Sequence, residues 1–241
     1  RVGYVPEQVS DFFDDAVTIM FSRGEGHYSA AVEGDYEMIS RFVDVLFKAL
    51  LNGTRALLVH PASVGGHRTM KSAGTARLTV DDRRAIFETE EGTRVASIED
   101  NAVTGLRSER RVIRERERPI LGVHHLRKGQ PLTTDIAIDS GRRLGLLNRF
   151  LRLEYDRRRL DAENANLDET ALTALAVIYT DGSTDPDAVL DDHADAESAV
   201  ESLLTHDLVE KADGDAEGME TFRPTMKGRV LLSSRLEEVF D

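Results

Sequence analysis

The chain has 241 residues, 40% of them hydrophobic, with 44 acidic against 31 basic side chains and no cysteine or tryptophan. That apolar share supports a buried core and excludes a disordered or collagen-like chain. The missing cysteine excludes disulfides, cysteine-ligated zinc, iron–sulfur clusters and a thiol nucleophile.

Residues 17–21 (VTIMF) and 27–32 (HYSAAV) read as two short strands around the turn residues Gly24 and Gly26. A helix follows. Asp35 suits its N-cap, Ile39, Phe42, Val43, Leu46 and Leu50 recur at helical spacing, and Asn52-Gly53 suits its C-terminal cap. Two strands and one helix cannot close a core by themselves. Together with the opening at Arg1 rather than Met, residues 1–53 read as the last part of a first domain.

From Thr54 onward the signals are almost all β, with strands expected at 55–60, 75–80, 84–89, 93–98, 103–114, 119–126 and 131–138. Turns are expected at Asp81-Asp82, Glu91-Gly92 and Lys128-Gly129. A helix over 142–160 carries Leu144, Leu147, Phe150, Leu151 and Tyr155 on one face. Residues 54–160 thus read as a second domain, a bent sheet or partly open barrel with one C-terminal helix. The first segment repeats the end of this plan, which suggests tandem β-domains of one type.

Charge marks a third domain. Residues 1–160 hold 26 basic and 23 acidic side chains, whereas residues 161–241 hold five and 21. Within 161–241, helices are expected at 167–179, near 185–191 with Pro186 at its N1-like position, and at 194–206. The first buries Leu172, Leu175, Ala176 and Tyr179, and the last Ala196, Val200, Leu203 and Leu204. A strand at Leu208-Val209, a turn at 213–218, a strand at Thr221–Arg223 and a helix capped by Thr225 complete a winged-helix order. Leu232, Leu236 and Phe240 lie close to one face of that last helix, which could cover the domain or form a homodimer. The fold class expected is therefore α+β.

A winged helix normally sets its third helix in the major groove, with lysine and arginine on the phosphates. Here that helix has no lysine or arginine and carries Asp195, Glu197 and Glu201. A polyanion would be repelled, which favours a protein-interaction module over a DNA-binding regulator with a sensory β-domain. Only five of the 31 cations are lysine. Abundant carboxylates with scarce lysine suit the cytoplasm of a haloarchaeon, where the Debye length is about 3 Å and self-repulsion is small. No run reaches about 18 apolar residues, and segment 1–20 lacks the charge pattern of a signal peptide.

The cations concentrate in 107–118, which holds six arginines and three glutamates. Strand alternation across this run places Arg110, Arg114, Arg116 and Arg118 on one face, and Arg111 with Ile113, Glu115 and Glu117 on the other. Rows of guanidinium groups grip partner carboxylates or phosphates, or they pair with their own glutamates along a protected edge. Arg110, Arg111, Ile113, Arg114, Arg116 and Arg118 are the candidate partner-binding residues, with Ile113 and Ile120 as apolar anchors.

Catalytic and cofactor patterns fail. His124 and His125 are adjacent on a strand and point to opposite faces, and no spacing links His60 and His67 to a carboxylate ligand. Gly24-x-Gly26 and Gly65-Gly66 lack the third glycine of a dinucleotide loop and the Lys-Ser/Thr of a P-loop, and no Gly-x-Ser-x-Gly is present. The acidic loop 181–187 has Pro186 where a calcium loop needs glycine and Asp192 where it needs a bidentate glutamate. The chain reads as a non-enzyme without cofactor or metal.

The joint pattern of Phe47-Lys-Ala-Leu-Leu-Asn-Gly-Thr54, Val59-His-Pro-Ala-Ser-Val-Gly-Gly66, Ala76–Val80, Leu146–Tyr155 and an acidic winged helix resembles CheF, the archaeal taxis adaptor family. The resemblance implies two pleckstrin-homology-like domains, the first incomplete here, followed by a winged helix. It also implies a cytoplasmic adaptor at the base of the archaellum, joining the phosphorylated response regulator CheY to the archaellum switch proteins. It implies no enzymatic activity.

Overall fold

The computed structural model describes residues 2–3, 16–24, 26–81, 83–165, 167–181, 193–212 and 221–240. The helix expected near 185–191, the turn 213–218, the acidic loop after Asp181 and the side chains of Asp195, Leu236 and Phe240 lie outside them. The chain forms two compact units. One comprises Arg1–Asp100, Arg107–Gly122 and Thr133–Leu151, the other Asn101–Leu106, Val123–Leu132 and Arg152–Asp241.

The chain begins with a small antiparallel sheet of β1 (Val2–Gly3), β2 (Ala16–Arg23) and β3 (Gly26–Glu33). Pairing of Val17 with Val32, Ile19 with Ala30 and Phe21 with Tyr28 gathers apolar residues on one face. The Phe21 and Tyr28 rings stack at 5.6 Å. Helix α1 (Tyr36–Leu51) starts where Asp35 accepts from the Met38 N–H at 2.8 Å, and stops before Gly53 at φ +78°. Asn52 Oδ1 then accepts from the Val80 N–H at 2.6 Å, which ties the helix end to the main sheet.

That sheet comprises β4 (Thr54–Val64), β5 (His67–Arg68), β6 (Gly74–Asp81), β7 (Arg84–Glu88), β8 (Arg94–Glu99), β9 (Val103–Ile113), β10 (Arg116–Arg127) and β11 (Gln130–Ala137). Its order is β8-β7-β6-β4-β11-β10-β9, with β5 paired to β4. Period-two alternation divides its faces. Ala56 opposes Ala76, Leu78 opposes Phe87 and Ala85 opposes Ile98, all buried. On the outer face, Arg55 lies opposite Arg77, and Arg77 opposite Glu88. Helix α2 (Gly141–Glu163) follows. Its Phe150 meets Phe47 of α1 edge to face at 5.5 Å, and both are fully buried.

In the second unit, α3 (Glu169–Asp181), α4 (His193–Thr205) and α5 (Met226–Phe240) surround the hairpin of β12 (Val209–Lys211) and β13 (Phe222–Pro224). The core is Leu175, Ile178, Leu203, Leu208, Phe222 and Leu231 with a set of alanines. Helix α3 centres its buried face on Ala171, Ala174, Leu175 and Ile178, leaving Leu172, Ala176 and Tyr179 at the margin. Small residues let it approach its neighbours closely, so the buried stripe is turned from the one that large residues alone suggest. Leu204, expected inside, is exposed. Burial pushes the Arg229 guanidinium below its usual range, and it sits 5.7 Å from the Tyr179 ring centroid.

Asp168 Oδ1 accepts from the Ala171 N–H at 2.7 Å and caps α3. Asp168→Ala is expected to lower stability by about 1 kcal/mol, while Asp168→Asn, which keeps the acceptor, stays within a few tenths. Chemical denaturation at constant salt reads the difference.

Candidate protein-docking surface

The arginine-rich run is a β-hairpin, but its turn differs from expectation. Strand β9 runs to Ile113 and β10 starts at Arg116. The two-residue loop Arg114-Glu115 has φ of +49° and +63°. Two consecutive left-handed residues form the turn that matches the twist of paired strands, usually built from Asn-Gly or Asp-Gly. Chain reversal at this turn pairs Ile113 with Arg116, so Arg111, Ile113, Arg116 and Arg118 share one face and Arg110, Val112 and Glu117 the other. This corrects the face assignment expected of one uninterrupted extended run.

The ion pairs follow the corrected faces. Arg110 pairs with Glu117 at 3.4 Å on the exposed side. Arg111 bonds Asp135 and Glu109, and Arg118 bonds Asp139. Arg114 donates to the Ala73 carbonyl at 3.0 Å, while Arg116 is exposed. Arg111 and Arg118 therefore hold the hairpin to its neighbours, and Arg110 and Arg116 face solvent. Ile113 is half-buried, but Ile120 is 1% exposed and belongs to the core, so it cannot anchor a partner. Sequence reading missed Val112, which is 72% exposed on the face that carries Arg110. An isolated valine in a charged strand is a signal only once the turn fixes its face.

The other candidates separate. His60 Nδ1 lies 2.8 Å from Thr134 Oγ1, His125 is buried and His124 exposed. Among the described residues no group of three His, Asp or Glu could hold a metal ion, and no helix is long and apolar enough to cross a membrane. Helix α4 exposes Glu197 and Glu201.

Comparison with known proteins decides the family. The family model for archaeal chemotaxis signal transduction system protein F matches residues 1–157. The chain belongs to the CheF family. Taxis protein CheF2 of Halobacterium salinarum is 30% identical over 237 residues, covering 97% of this chain and 79% of that relative. No solved structure matches. Membership of the CheF family makes this a chemotaxis signal-transduction protein, and the model match includes the whole arginine hairpin.

Proposed function

We propose that the chain is a non-enzymatic taxis adaptor that binds the phosphorylated response regulator CheY and the switch proteins at the base of the archaellum. Family membership and a relative named as a taxis protein carry the reading. The β-sheet followed by helix α2 and the three helices about a β-hairpin suit two pleckstrin-homology-like domains, residues 1–53 and 54–160, and a winged helix, residues 161–241. Regulators of the CheY type are acidic around the phosphoryl site, which complements the hairpin's outward cations. In concentrated salt such charges act only at contact, so an apolar anchor must share the binding, and Val112 supplies it. Glu197 and Glu201 on α4 oppose the alternative of DNA recognition.

The test avoids Arg111 and Arg118, whose loss would disturb the hairpin itself. Arg110→Glu, Val112→Asp and Arg116→Glu together are expected to weaken phosphorylated CheY binding more than about tenfold, or 1.4 kcal/mol. Calorimetric titration in molar potassium chloride measures it. Unchanged affinity rejects the hairpin as the contact.

A further inference from the structure

We propose that a cationic concavity on the outer face of the main sheet receives a carboxylate borne by an acidic segment of a partner protein, with glutamate the best fit. The cavity is about 240 Å³. It is walled by Arg55 and Leu57 of β4, Thr75 of β6, the turn residue Arg114, Arg118 of β10, and Asp139 just after β11. Register explains the gathering. Leu57 lies opposite Thr75, and both occupy the face opposite that of buried Ala56, Leu58 and Ala76. Arg55 thus joins Arg114 and Arg118 of the hairpin, far from it in sequence, around one hollow.

None of the three is fully engaged. Arg55 has a long 3.7 Å pair with Glu90, and both side chains are mostly in solvent. Arg114 donates to one carbonyl. Arg118 is decisive: its side chain is only 19% exposed, yet its Nε is shielded from water and has no hydrogen-bond partner among the described residues. Its bond to Asp139 uses Nη1. A guanidinium presents five donors in a fork that matches a carboxylate on more than one edge. A shielded charged donor without a partner is unfavourable, and rotation of the guanidinium about its terminal bonds offers that edge to an incoming group.

Asp139 identifies the ligand. It is a carboxylate already seated on Arg118, and at 86% exposure it can swing aside. Its charge in the wall repels a phosphate dianion more strongly than a carboxylate monoanion. The apolar Leu57 and Ala137 suit the methylene stem of glutamate. Concentrated salt removes attraction beyond about 3 Å, so recognition there depends on bidentate contact inside such a hollow.

The inference rests on the reading that this protein docks to other proteins, and it names the chemistry of one contact. The test is fluorescence anisotropy of the full chain in molar potassium chloride with a labelled hexaglutamate peptide, inorganic phosphate being the competitor. Arg55→Gln and Arg118→Gln should each weaken binding about tenfold, Asp139→Asn should tighten it about threefold, and Arg116→Gln should leave it unchanged. Arg55 is exposed, so its variant carries the test if Arg118→Gln does not fold. Equal binding by wild type and Arg55→Gln, weaker binding by Asp139→Asn, or phosphate binding without peptide binding overturns the proposal. Peptide failure with intact binding of phosphorylated CheY overturns the cavity alone; the reverse overturns the CheY contact alone.

Discussion

Replacing Gly228 with alanine is expected to destabilise the second unit by about 3 kcal/mol or more, the upper range for overpacking. Intrinsic helix propensity predicts the opposite sign, since alanine is better than glycine inside a helix by about 1 kcal/mol. Sterics win because a Cβ on Gly228 would collide with the Leu208 carbonyl oxygen. That carbonyl cannot retreat. It accepts from the Thr225 N–H at 3.0 Å, and its own residue closes helix α4 by donating to the Leu203 carbonyl at 2.9 Å. Asp207, at φ +57°, supplies the left-handed residue of this closing turn. Thr225 Oγ1 adds a bond to the Asp207 carbonyl at 2.7 Å. Helix α5 would have to lift from the hairpin and expose Leu231 and Leu175. Gly145→Ala is the control: it is an exposed glycine of α2 with nothing within 4 Å of an added Cβ. It should stabilise by up to about 1 kcal/mol. Denaturant titrations of both variants at one salt concentration give the comparison, and similar shifts for the two would refute the collision.

The second large effect belongs to the first unit. Phe47→Ala and Phe150→Ala should each cost about 3–5 kcal/mol, the range for a deleted buried phenyl ring. Their rings meet edge to face at 5.5 Å, at 1% and 2% exposure, so neither cavity can fill with water or close cheaply. Native stability amounts to about 0.05–0.15 kcal/mol per residue, so either loss removes a large fraction. The double variant should fall short of the sum of the two singles by about 0.5–1.5 kcal/mol, the coupling of one aromatic pair. Strict additivity in that cycle would show that the rings do not support each other.

Legibility in the sequence followed the residues that act locally. Asp35 and Asn52-Gly53 announced both ends of α1 because caps work through their own backbone neighbours. Lys128-Gly129, with φ of +52° and +77°, is the turn its glycine suggested. The Arg114-Glu115 turn was not legible, since neither residue type favours left-handed backbone. One misplaced turn then reversed the parity of β10 relative to β9 and promoted the core residue Ile120 to the surface. The Arg55–Arg114–Arg118 hollow was beyond sequence reading, because it depends on the order β6-β4-β11-β10 and not on spacing along the chain. Charge asymmetry was legible throughout, being independent of register.

Docking without chemistry is the central claim, and co-purification tests it most directly. The tagged full chain, beside the Arg110→Glu, Val112→Asp, Arg116→Glu variant, would be recovered from a haloarchaeal lysate at native salt, with CheY phosphorylated and unphosphorylated. The account predicts that CheY accompanies the unaltered chain in the phosphorylated state and that the altered hairpin loses it while the switch proteins remain bound. Equal recovery of CheY by both chains, or a sequence-specific DNA complex at the same salt, would contradict it.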